Sequence, residues 1–177
     1  MTRHRSTLLA LLASAAIALA ATEPALAHEA AKGTITVLHP WARATAAGAT
    51  TSPAFMEIRA SAAGGDRLIA AQSSVAKRIE LHQTVSQSGG AGTTAVKSIA
   101  EPAGTSVVLG PRGPALMLLD LAAPLKEGDL VKLSLVFEKA GEISVEATVE
   151  AAGATGPHGL DHQPGHAPEQ HGGSHKH

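Results

Sequence analysis

An all-β fold, a Greek-key sandwich or small barrel, is what this chain predicts, and three observations carry the prediction. Residues 142–150 alternate cleanly, with Ile143, Val145, Ala147 and Val149 on one face and Glu142, Ser144, Glu146, Thr148 and Glu150 on the other. Residues 130–137 repeat the pattern and turn Val131, Leu133, Leu135 and Phe137 inward. A period of two is what a half-buried antiparallel sheet imposes on its strands. Further short runs of strand character are divided by turn-forming clusters, with no amphipathic helix between them.

In chain order those further strands are 34–38, 54–60, 67–71, 77–82, 94–99, 105–109 and 115–121. The clusters Gly64-Gly65-Asp66, Gly89-Gly90, Pro102-Ala103-Gly104, 110–114 and Lys126-Glu127-Gly128-Asp129 separate them. Glycine accepts positive φ, proline presets φ and aspartate bonds its own backbone, so each cluster has a turn chemistry. In 77–82 Ile79 and Leu81 face inward, which leaves His82 on the outer face with Arg78 and Glu80, at a strand end before the Gly-rich stretch 88–92. Met56 sits in the apolar run Phe55-Met56-Glu57-Ile58 and reads as core filler, a role its flexible thioether suits. His39 reads as a capping or packing residue of the opening strand.

The two ends are made of different material. Arg3, His4 and Arg5 precede an apolar run over 7–21, and Ala25-Leu26-Ala27 supplies a small-residue cleavage motif. Residues 1–27 thus read as a secretory signal removed after Ala27. The apolar run is shorter than the roughly 20 residues of a spanning helix. The folded domain is then 28–150, exported to the periplasm. Beyond it, His158, His162, His166, His171, His175 and His177 stand among Pro157, Gly159, Pro164, Gly165, Pro168, Gly172 and Gly173. Proline and glycine at that density forbid a helix. The tail 151–177 therefore reads as a disordered segment that binds metal by wrapping, since imidazole is a common ligand for divalent transition metals. Ordering each residue costs about 1–2 kcal/mol, so such a tail collects ions with moderate affinity and little geometric selectivity.

Composition removes several function classes. The formal net charge is −1 at pH 7, and Trp41, Phe55 and Phe137 are the only aromatic residues besides histidine. A chain so poor in rings and net charge has neither the basic face nor the stacking platforms that nucleic acids require. The absence of cysteine rules out disulfides, thiol nucleophiles and thiolate metal sites. No serine has a histidine–carboxylate pairing that the sequence justifies, and no Gly-rich phosphate loop opens a helix, so no enzyme is expected.

The run His39-Pro40-Trp41-Ala42-Arg43-Ala44-Thr45 resembles the opening strand of the periplasmic PCu(A)C-type copper chaperones. Pro53-Ala54-Phe55-Met56, Asp66-Arg67-Leu68, the run 75–82, Ala115-Leu116-Met117-Leu118, the run 124–129 and Phe137-Glu138-Lys139-Ala140-Gly141 continue the likeness in order. It spans about residues 34–149. The resemblance implies a cupredoxin-like barrel that binds Cu(I) through histidine and methionine and passes it to a partner such as a cytochrome oxidase copper centre.

The family's ligand pattern, H-x10-M-x21-H-x-M, transfers here without insertion or deletion, but only half filled. His82 fits the first position and Met117 the last, whereas Thr93 and Ala115 stand where a methionine and a histidine belong. A hydroxyl is a hard, poor partner for Cu(I), and alanine has no donor atom. The metal ligands expected are His82 and Met117 from the body with the six tail histidines, and copper, as Cu(I), Cu(II) or both, is the ion expected. A second reading makes the tail a buffer for Cu(II), Zn(II) or Ni(II), whose grip on metal fails as pH falls through about 6.5.

Overall fold

The computed structural model describes residues 29–87 and 90–157. The expected signal over 1–27, His28 and the six tail histidines lie outside the described residues. Eleven strands form: β1 (Glu29–Lys32), β2 (Ile35–Arg43), β3 (Thr51–Ala60), β4 (Asp66–Gln72), β5 (Ala76–Gln87), β6 (Gly90–Val96), β7 (Ile99–Glu101), β8 (Ser106–Leu109), β9 (Ala115–Leu121), β10 (Leu130–Phe137) and β11 (Gly141–Glu150). They join one sheet in the order β6-β5-β9-β3-β2-β11-β10-β4-β7, with β1 on β2 and β8 on β3. The ladders are antiparallel except β11 on β2, which runs parallel. The hydrogen-bonded path is open, and the sheet curls so that β4 and β5, far apart along it, touch. All-β and cupredoxin-like are both correct, with the layers made by one curled sheet.

Alternation fills the interior as expected. Met56 and Ile58 of β3, Leu116 and Leu118 of β9, Leu133, Leu135 and Phe137 of β10, and Ala147 and Val149 of β11 are all buried in one cluster. Burying a side chain of this size stabilises the fold by about 1.5–3 kcal/mol. Met56 is core filler, at 2% exposure.

Three local expectations change. The run 94–99 is divided between β6 and β7, with Lys97-Ser98 as the break. Val96 and Ile99 are both apolar but three apart, which no single strand can turn to one face. His82 does not end its strand, because β5 continues to Gln87 and pairs with β6 from Leu81↔Val96 to Gln87↔Gly90. Glu150 is buried rather than solvated, at 2% exposure.

One irregularity in β2 shapes the site. Between Leu38 and Trp41 the pairing with β3 slips, so that Leu38 faces Glu57 and Trp41 faces Phe55. One extra residue is thereby accommodated, and His39 takes it up in the left-handed region at φ 48°. The bulge inverts the alternation: Val37 and Ala42 both belong to the main core, while Trp41 turns to the other face. His39 is thus the bulge residue. Replacing it with Val, which resists positive φ, should lower stability by about 1–2 kcal/mol, whereas His39→Gly should not. Urea midpoints of the two variants check this.

At the other end of the sheet, Asp66 and Glu101 are cross-strand partners between β4 and β7, and both are buried. Asp66 accepts backbone N–H bonds from Arg67, Lys139 and Ala140 at 2.7, 2.9 and 2.8 Å. Burial pushes its carboxyl up, but these three donors more than offset that and hold it below the usual range. Neither carboxylate oxygen of Glu101 has a hydrogen-bond partner among the described residues. Burial first, and the charge of Asp66 second, push Glu101 up to about 8.

Candidate metal centre

The inward positions of β5 and β9, Ile79 and Leu81 against Leu118 and Leu116, leave the intervening residues on the outer face. There His82 lies opposite Ala115, and Glu80 opposite Met117. Thr93 of β6 faces Thr84, one step along the hairpin, and its Oγ1 lies 3.4 Å from Nδ1 of His82. The two expected body ligands, His82 and Met117, therefore share one face, and the two substituted positions, Thr93 and Ala115, lie directly beside His82. The four motif positions, two kept and two substituted, are thus neighbours in the fold.

His82 is half-buried, with its side chain 18% exposed. Its Nε2 lies 3.0 Å from Oε2 of Glu80, so each ring nitrogen faces an oxygen of this chain. Arg78 in turn approaches Oε1 of Glu80 at 3.5 Å and Oδ2 of Asp120 at 3.9 Å. These pairs are exposed enough to contribute little to stability, but they orient the carboxylate. Sequence reasoning placed Glu80 on this face without giving it a role. Its position two residues before His82 was the available signal, since i and i+2 share a face in a strand.

A small second core adjoins this row. Trp41, Phe55 and Ala115 pack together on the outer face, with the rings of Trp41 and Phe55 4.5 Å apart at centroid. Ala154 covers them from beyond β11. It is pinned there by Arg43, which donates from Nε at 3.0 Å and Nη2 at 2.7 Å to the Ala154 carbonyl while lying 5.6 Å over the Phe55 ring. Ala154, four residues before His158, thus packs on the cluster that contains Ala115, the cross-strand partner of His82. Nothing in the sequence revealed this clamp, because it depends on Trp41 having been turned outward by the bulge.

Among the described residues no group of three or more His, Cys, Asp or Glu side chains is arranged to hold a metal ion. A groove of about 890 Å³ lies elsewhere, along Gln72, Leu130, Lys132, Ser134, Ser144 and Thr148, and no histidine or methionine lines it. The six tail histidines lie outside the described residues.

Comparison with known proteins agrees with the geometry. A family model described as "Putative lipoprotein LpqE-like" matches residues 35–149. A protein named "Putative lipoprotein Lxx21020" from Leifsonia xyli subsp. xyli is 31% identical over 117 residues, 66% of this chain and 69% of its own. The copper-bound PCuAC domain from PmoF2 is 33% identical with a TM-score of 0.61, covering 70% of this chain and 98% of the domain. Its apo form gives 32% and 0.63 over 73% and 99%. The solution structure of CuI-DR1885 from Deinococcus radiodurans shares the fold at 24% identity and a TM-score of 0.54, over 67% and 78%. The family model thus runs from the start of β2 into β11, and the chain belongs to the LpqE-like family, with a fold of the PCuAC type.

Proposed function

We propose that this protein is an exported copper carrier that holds the ion at the outer face of β5 and β9 and surrenders it to a copper-accepting partner in the cell envelope, such as a cytochrome oxidase copper centre. The observation that carries this reading is the convergence of His82, Met117 and the two substituted motif positions beside the point where the chain departs for its histidine-rich tail. A copper-bound PCuAC domain at 33% identity supports it. Copper here is cargo: His82 and Met117 supply an imidazole and a thioether, both suited to Cu(I). His158, His162, His166, His171, His175 and His177 supply the donors that Thr93 and Ala115 do not. His158 is four residues past Ala154, an extended reach of about 13 Å. Export is expected through the signal read over residues 1–27, and the relatives named as putative lipoproteins support a place in the cell envelope.

The test is an anaerobic Cu(I) titration against a competing chelator. It uses the chain from His28, the same chain ending at Gly156, and its His82→Ala variant. Loss of the imidazole should weaken Cu(I) binding about tenfold or more, and truncation should weaken it without abolishing it. If no form outcompetes a free peptide of the tail's sequence, the carrier reading fails. A divalent buffer, favoured by six clustered histidines, would instead lose all binding on truncation. It would also release metal at pH 5, where imidazoles are protonated and thioethers are not.

A further inference from the structure

We infer that Glu80 is a metal ligand, and that with His82 it forms a two-point anchor for Cu(II) on the same face where Met117 serves Cu(I). The inference rests on the carrier reading and adds to it the oxidation state that this chain's substitutions favour.

The geometry comes first. Oε2 of Glu80 and Nε2 of His82 are 3.0 Å apart. Two donors bound about 2.0–2.1 Å from one ion at about 90° lie ~3 Å from each other, the separation of neighbouring ligands in a tetragonal Cu(II) site. An ion can therefore replace the hydrogen bond between them once the side chains turn their lone pairs toward it, without the two donor atoms moving apart. Glu80 is held ready for this: its other oxygen faces Arg78, which also approaches Asp120, and its side chain is 38% exposed, so solvent and ions reach it.

Donor chemistry points the same way. Filled with methionine and histidine, positions 93 and 115 would set a soft and a borderline donor beside His82. Filled with Thr93 and Ala115, they leave carboxylate and hydroxyl oxygens as the nearest donors to the ring, at 3.0 and 3.4 Å. Oxygen with imidazole suits Cu(II), whereas a thioether suits Cu(I). Met117 stands directly across from Glu80 on the neighbouring strand, one step from the pair His82 and Ala115 on the same face. Which of the two engages is decided by the ion that arrives. The face thus accepts copper in either state with His82 as the shared ligand, and no electron transfer is involved.

The tail and the residue at the chain's start would swamp a Cu(II) signal, so the test uses the full chain from His28 with His28 and the six tail histidines changed to Asn. One equivalent of cupric sulfate is added, and the spin resonance spectrum and the affinity against a competing chelator are recorded. Cu(I) affinity is measured anaerobically on the same proteins. The parent should give one axial Cu(II) signal with nitrogen and oxygen ligation. Glu80→Gln should shift its parallel hyperfine coupling and lower the ratio of Cu(II) to Cu(I) affinity about tenfold, while Met117→Leu should raise that ratio by a similar factor. An unshifted spectrum and a ratio within about threefold of the parent in Glu80→Gln overturn the inference. Cu(I) bound through His82 in that case leaves the carrier reading standing, whereas loss of both ions from the parent removes both.

Discussion

Thr93→Met combined with Ala115→His should raise the Cu(I) affinity of the body by about two orders of magnitude or more. Two further soft or borderline donors would then stand beside His82 and Met117, and each tenfold gain needs only 1.4 kcal/mol. Position 93 is open to the change, since Thr93 is exposed on β6 with its hydroxyl 3.4 Å from the ring it would assist. Position 115 is tighter, because Ala115 is 7% exposed and packed against Trp41 and Phe55. Overpacking there should cost about 1–3 kcal/mol of stability, so the affinity gain is to be read alongside a denaturant midpoint. The measurement is competition for Cu(I) with the tail ended at Gly156, so that only body ligands count. An affinity unchanged in a folded double variant would mean that the four positions do not share an ion, whatever their proximity.

That proximity was legible in the sequence only through the resemblance. Spacing alone gave no reason for His82, Thr93, Ala115 and Met117 to meet, as they come from three strands whose pairing the pattern does not specify. The fold was more open to reading. Strands with one buried face, such as β10 and β11, print their alternation directly, because a slip of one residue would expose every apolar side chain. Failures occurred where backbone pairing or parity decided the outcome. β1 is Glu-Ala-Ala-Lys, a sequence with no strand character, and it is recruited by its ladder with β2. The bulge at His39 inverted the faces of β2, and the clamp of Arg43 on Ala154 followed from that inversion. Glu80 was visible on the correct face but silent, because a carboxylate in an exposed strand is ordinarily just solvated.

A second large effect is expected away from copper, at Glu101. This side chain is 1% exposed, faces Asp66 across the β4–β7 ladder, and has no hydrogen-bond partner for either oxygen among the described residues. Its pKa in the folded protein, about 8, lies above the ordinary 4.5. The native state therefore keeps a proton that the unfolded chain releases, and the stability associated with that proton is complete below about 4.5. It declines as pH rises from there and has gone above about 8, where both states are ionised. Asp66 behaves oppositely: its pKa is depressed below 3.8, so its contribution is present above that value and lost as pH falls through the depressed one. Together they place the best stability of this edge in mildly acid solution. Glu101→Gln should remove the alkaline decline, raising stability by roughly 2–4 kcal/mol at pH 9 and by little at pH 4, since the amide stays neutral at both. Urea unfolding at several pH values measures it, and parallel curves for the two proteins would refute it.

The single tryptophan gives this molecule its own reporter. Trp41 is 4% exposed and has for neighbours Phe55, Ala115 and the pinned Ala154, so its emission should redden when the C-terminal segment lifts from the indole. A cupric ion bound nearby should quench it. Chains shortened to end at Glu150 would strip that cover and make the fluorophore blind to the event, which sets a practical lower bound on where this protein can be trimmed for optical work.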